Sequence, residues 1–361
     1  MLFWGPRQYT RLDLEDCGAT DSKKHFTNHP QRHVSNRDFY AWLTTALLVT
    51  LLFLAGKMSQ FRLHTKPGNI CTNPVVRQEW RSVSDTERAE YIEAALCLHK
   101  IPSAFDYHPE AKLSDDFPWI HTHNPIDHHR TANFLPWHRY FIHKYENALK
   151  ERCGYQGHLL YWDWTLDYDD LPNAMILDPD YGFGGDGGPK NNDSISWGSC
   201  IEVGPFKGYE VKVLGQEIKP HCLSRGFGRA VGGTFTGSTV SPTSIREVLS
   251  QDDYFDFLTK LEGSADNDIP LGMGGDWVEA SAPNDPLFFL HHTQVDRLWW
   301  MWQQKDQGSR IMQYKGQNSG TDMASSATAP SLDDVLPTPI NDGIKIRDMM
   351  NTEGVLFCYR Y

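Results

Sequence analysis

The sequence predicts an all-α core wrapped by long irregular segments, with one transmembrane helix ahead of it. Three observations carry this: segments with helical periodicity and recognisable ends, long stretches of turn composition between them, and one charge-free apolar run near the N-terminus. At 361 residues and 40% apolar composition, the chain can build one large core or two small ones. The balance of 34 Lys and Arg against 46 Asp and Glu is −12, and no basic stripe carries interleaved aromatics, so nucleic acid is not an expected partner. The 12 Trp, 15 Tyr and 18 Phe suit a dense core or a pocket for flat ligands, and core packing accounts for most of them.

Residues 1–38 form a polar tail. His25, His29 and His33 stand at helical spacing there, but Pro30 interrupts it, so a disordered tail is expected rather than a metal-binding face. Residues 39–56, FYAWLTTALLVTLLFLAG, run for 18 positions without a charge, just enough to span a bilayer. A cleaved signal would place its apolar region after a short basic start; the long polar lead here favours an uncleaved single-pass anchor. Lys23, Lys24, Arg32 and Arg37 on one side are matched by Lys57, Arg62, Lys66 and Arg77 on the other, so flanking charge does not orient it.

Cysteines do. Cys17 stands alone in the tail, whereas Cys71, Cys97, Cys153, Cys200, Cys222 and Cys358 follow the anchor, an even set expected to form disulfides in an oxidising lumen. Six cysteines allow fifteen pairings, among which sequence does not choose. Asn192-Asp193-Ser194 adds a glycosylation triplet in a Gly/Asn-rich loop. Residues 58–361 are therefore expected in the secretory lumen or outside the cell.

Ser84-Asp-Thr-Glu87 is a capping box and opens a helix over about 85–98. A second helix is expected after Pro136, ending at Cys153-Gly154, with His138, Ile142, Tyr145 and Leu149 on its inward stripe. A third begins near Pro286 and aligns Phe288, His292, Val295, Trp299 and Trp302, with His291 turned away from that face. One core histidine is ordinarily a satisfied structural residue. Two on separate buried helices, with a His-rich segment just before one of them, point to a metal site between helices. Residues 181–198 and 308–343 read as loops; the FGGDGG glycines neither follow a clear strand nor open a helix, so they are no phosphate loop.

The string HHRTANFLPWHRYF at 128–141, followed by YENAL, by YWDWTLD at 161–167 and by NDPLFFLHHTQVDRLWWMWQ, resembles the tyrosinase copper-binding domain, in its fungal tyrosinase-like branch. CTNPVVRQEW, FGGDG, HCLSRGF and the closing LFCYRY extend the resemblance over roughly residues 71–361. It implies an antiparallel four-helix bundle in which two copper ions, each held by three imidazoles, use dioxygen to hydroxylate phenols or oxidise catechols. Imidazole donors suit a metal cycling between Cu(I) and Cu(II). Carried over, the resemblance assigns His121, His129 and His138 to the first copper, with His123 a rival for the first role and His128 left over. It assigns His292 to the second copper, and makes Asp296 and Arg297 residues that pin the helix.

The family's second-site pair, two histidines four apart, is missing. Counting back from Gly274-Gly275 places Asp266 and Pro270 at those positions, and no histidine stands between His221 and His291. Proline cannot ligate through its side chain and is expected to break the helix. Three readings stay open: Asp266 ligates with His292, His221 folds back as a replacement, or the second copper is absent and one ion remains. The functional expectation is a membrane-anchored, copper-dependent oxidase of a small phenolic metabolite or peptide tyrosine in fungal secondary metabolism. The alternative is a non-catalytic or mononuclear scaffold; an oxygen carrier would need both full triads. After Tyr359-Arg360-Tyr361, no covering domain is expected.

Overall fold

The computed structural model describes residues 71–124, 129–190, 195–232, 235–317, 329–336, 339–340 and 343–361. They belong to one compact unit, Pro67–Tyr361. The tail, the 39–56 run, Cys17, His128 and the Asn192 triplet lie outside the described residues. Among the described residues, no helix is long and apolar enough to cross a membrane.

Helix α1, Asp85–Leu98, starts at the expected capping box: Ser84 Oγ accepts from Glu87 N, and the Glu87 carboxylate accepts from Ser84 N at 2.8 Å. Helix α2, Leu113–Thr122, was not legible as periodicity, because Pro118 sits inside it and its apolar residues follow no clean stripe. Its start is secured by the Asp115 carboxylate, which accepts from Lys112 N at 2.8 Å. Helix α3, Phe134–Cys153, begins two residues ahead of Pro136 and ends on Gly154, whose φ of 71° fits the left-handed stop that glycine supplies most readily.

Further on, α4 spans Pro242–Leu249 and α5 spans Tyr254–Leu261. A π-helical turn, Glu262–Asp266, then runs directly into α6, Asn267–Met273. Pro270 was expected to break a helix here, yet it lies inside α6. Proline cannot bond to the carbonyl four residues back, here that of Asp266, and its ring crowds that carbonyl. The widened turn immediately upstream takes up this misfit. Helix α7, Leu287–Gln304, packs on α3, and α3 on α1.

Strands are few and short. The parallel pair β1, Val75–Val76, and β6, Tyr359–Arg360, ties the two ends of the unit together. Between them come the β2–β5 pair, Ser199–Cys200 with Ser224–Arg225, and a hairpin of β3, Glu210–Leu214, and β4, Glu217–Cys222, turning at Gly215. The all-α expectation overlooked this hairpin, although Glu210-Val211-Lys212-Val213 alternates polar and apolar residues in sequence; in the fold Lys212 is buried along with both valines. The six cysteines form Cys71–Cys358, Cys97–Cys153 and Cys200–Cys222.

The largest fully buried side chains of the core include Trp80, Trp137, Trp162, Trp164, Trp277, Trp299 and Trp302. Asp296 is the main polar joint inside it. It accepts from Arg139 Nε at 2.5 Å and from Tyr359 OH at 2.6 Å, and Tyr361 OH also donates to it. Arg297 donates to Asp163 at 3.1 Å, and Gln294 to the same carboxylate at 2.9 Å. Asp296 and Arg297 thus pin α7, as the sequence led one to expect.

A candidate metal centre

Four helical segments deliver the site. His121 stands in the last turn of α2, His129 precedes α3, His138 lies in the second turn of α3, and His291 and His292 occupy the buried first half of α7. The π turn between α5 and α6 supplies Glu262 and Asp266. Ligand atoms of His121, His129 and His138 lie within 4.8 Å of one another.

The orientation of these rings is set by their Nδ1 atoms. His121 Nδ1 lies 2.6 Å from the Ala280 carbonyl and His138 Nδ1 lies 2.8 Å from the Phe134 carbonyl. A carbonyl oxygen only accepts, so each Nδ1 carries the proton and donates, and the lone pair of each neutral ring is on Nε2. These two Nε2 atoms face each other at 3.4 Å. His129 Nδ1 lies 3.1 Å from the Glu262 carboxylate, which also accepts from Arg130 N at 2.9 Å. All three imidazoles therefore have Nδ1 anchored and Nε2 as the donor atom, the arrangement that holds metal-binding histidines in one tautomer.

Burial, and then the neighbouring His129, pushes His121 down to about 3; burial and the surrounding histidines hold His138 well below its ordinary range. Both rings are neutral near pH 7. A proton does not bridge the facing lone pairs, whereas a cation accepting imidazole nitrogen fits between them.

The second cluster differs. Asp266 Oδ1 lies 3.6 Å from His291 Nε2 and 3.9 Å from His292 Nε2, and all three residues are buried. His292 stacks on His138 with ring centroids 4.3 Å apart and nearly parallel planes. Trp164 Nε1 donates to His291 Nδ1 at 3.1 Å. His291 was expected to turn away from the buried face, but α7 is enclosed on all sides from Leu287 to Asp296. Pro270 lies a full turn beyond Asp266 and belongs to neither cluster; Glu262, one turn before Asp266, is the residue that the structure brings in. An acidic residue four positions upstream of Asp266 was the available signal. All-imidazole ligation, which the first cluster fits, does not fit this second position.

Two other histidines are placed elsewhere. His221 lies on β4, beside the Cys200–Cys222 disulfide, with Nε2 2.9 Å from Asp276 and Nδ1 2.6 Å from the Lys219 carbonyl. His123 caps α2 in solvent and stacks on Trp119 at 4.9 Å.

Residues 107–305 match the profile described as the common central domain of tyrosinase. The chain is 37% identical to the tyrosinase-like protein phomQ1 of Diaporthe leptostromiformis over 98% of both chains. It is 36% identical to tyrosinase ustQ of Aspergillus flavus over 89% of each. Its fold matches that of a polyphenol oxidase from Thermothelomyces thermophila with a TM-score of 0.68 at 26% identity, covering 84% of this chain and 93% of that one. An octopus hemocyanin functional unit shares the fold at a TM-score of 0.50 and 18% identity, covering 80% and 68%. With imidazoles converging between its helices, and at these levels of similarity, the chain belongs to the tyrosinase family and is a tyrosinase-like oxidoreductase.

Proposed function

We propose that this chain is a membrane-anchored, copper-dependent oxidase of phenols or catechols, with residues 39–56 as its anchor and residues 58–361 as its catalytic domain. The observation that carries the reading is the pair of facing Nε2 atoms of His121 and His138, their Nδ1 atoms held by carbonyls. His121, His129 and His138 would hold copper, and His292 would stand at the second position of an antiparallel four-helix arrangement. Copper bound there would supply electron transfer between the substrate and dioxygen. In the balanced reaction, two catechols each give up two electrons and two protons, and one dioxygen becomes two waters.

The protein's own part is to hold the imidazoles neutral and oriented, and to keep water from them. Phe134 and Phe288 pack against His138 and His292 at ring distances of 4.6 and 4.2 Å. His129 is the open side, its side chain 41% exposed. Beside it runs a cleft of 350 Å³ lined by Arg130, Phe255, Glu262 and Asn267, among others, which suits entry of a small aromatic metabolite or a peptide tyrosine. Three disulfides support a lumenal or extracellular setting. A role in fungal secondary metabolism accords with this reading.

Asp266 favours one qualification of the chemistry. A second position without three imidazoles weakens ortho-hydroxylation before it weakens catechol oxidation. The test is oxygen consumption by the copper-loaded full chain in detergent, with a catechol and with the matching monophenol. Catechol turnover is expected to exceed monophenol turnover by at least about tenfold, and His138→Ala to abolish both together with bound copper. A copper-loaded chain that oxidises neither would leave the scaffold reading in its place.

A further inference from the structure

Arg130 directly follows His129 and stands at φ 57°, in the left-handed region that glycine enters freely and a residue with a side chain enters at a cost. Both Glu262 oxygens hold it there, each accepting from Arg130 N at 2.9 Å. That contact uses only the backbone amide, so glycine would satisfy the turn. The turn therefore does not account for the arginine side chain. Its guanidinium is exposed, always charged, and makes no hydrogen bond or ion pair with any described residue.

This cation lines the 350 Å³ cleft beside His129. Phe255 and Leu258 give the cleft an apolar wall, and Arg130 is the only cation among the described residues along it. Glu262 is the only anion there, but its side chain is 5% exposed and its oxygens are engaged by the Arg130 amide and His129 Nδ1. An aromatic ring lying on that wall, with an anion at its edge, answers both surfaces at once. A guanidinium binds a carboxylate through two parallel N–H donors. On a chain of net charge −12 anions are repelled overall, so a preference for one is a local property of this rim. We propose that Arg130 is a specificity residue that ion-pairs with a carboxylate on the substrate, so that the centre selects phenols and catechols carrying an acidic group beside the ring. The inference rests on the oxidase reading given above and names its substrate class.

The test compares kcat/KM of the copper-loaded full chain in detergent for two matched pairs. One pair is dihydrocaffeate and its primary amide; the other is a capped peptide with dihydroxyphenylalanine beside Glu, and the same peptide with Gln. The acid is expected to exceed its neutral mate by about tenfold at low ionic strength in at least one pair, and salt to shrink the ratio. A ratio confined to the first pair places the carboxylate on a small metabolite, and one confined to the second places it on a peptide neighbour. Arg130→Gly, which suits the positive φ and keeps the amide bond to Glu262, is expected to bring the ratio to about one, and Arg130→Glu to invert it. Ratios near one in both pairs, or a ratio that Arg130→Gly leaves in place, would overturn the proposal while leaving the oxidase reading intact. Should no catechol be oxidised, the oxidase reading fails, and calorimetry with phenylpropionate and its amide decides this one: tighter binding of the acid that Arg130→Gly removes supports it, and equal binding overturns it.

Discussion

At the scale of single residues, the atom that sets the direction of each imidazole is the one turned away from the His cluster. Ala280 and Phe134 supply backbone carbonyls to His121 and His138, anchors that no substitution at those two positions would remove. His129 depends instead on a side chain, Glu262. Glu262→Gln is therefore expected to raise the copper dissociation constant by about 10–100-fold, read by competition with a chelator of known affinity. An equal substitution at exposed Glu247 on α4 is expected to change nothing. His121, His129, His138 and His292 were picked out through the family resemblance, and the structure brings ligand atoms of the first three together while His292 joins Asp266 and His291. Glu262 and His291 were not picked out: one works through another residue, and the other appeared to face outward on a helix assumed to have a solvent side.

At the scale of elements, α3 is held by a buried charge as well as by its apolar stripe. Glu146 lies 2.6 Å from Arg77, beside Lys150 and His158. Burial raises its carboxyl, but Arg77, His158 and Lys150 together bring it well below its ordinary 4.5. A carboxylate depressed in the folded state adds stability that is fully present above the unfolded value and is lost as pH falls through the folded one. Thermal unfolding followed against pH should show the melting temperature dropping below about pH 4.5, with a flatter acid limb in Glu146→Gln. The same variant should lose about 3 kcal/mol near pH 7, since it leaves Arg77 buried without its closest partner. Helices α1 and α7 could be read from their caps and stripes alone, whereas α2 and the α5–α6 run could not. Each of those contains a proline that local rules place at a break, Pro118 and Pro270, and both lie inside a helix in the folded chain.

For the whole molecule, closure is the controlling feature. Cys71–Cys358 spans 287 residues, and the β1–β6 pair lies directly beside it. Cys71→Ser with Cys358→Ser is expected to cost about 2–5 kcal/mol, measured by denaturant unfolding, because the crosslink restricts the unfolded chain across almost the entire unit. Asp296 extends that closure inward, joining α3 through Arg139 and the C-terminal strand through Tyr359 and Tyr361.

By itself the sequence determined what depends on near neighbours: the helix ends at Ser84 and Gly154, the inward stripes that carry His138 and His292, the six cysteines set apart from Cys17, and the missing imidazole pair. These are readable because capping, periodicity and composition act over a few residues. Which cysteines pair, how Pro270 stays inside a helix, and which carboxylate reaches which histidine were decided only by the tertiary structure. Those outcomes depend on side chains more than a hundred positions apart, such as Glu262 and His129, and on a widened helical turn just ahead of Pro270.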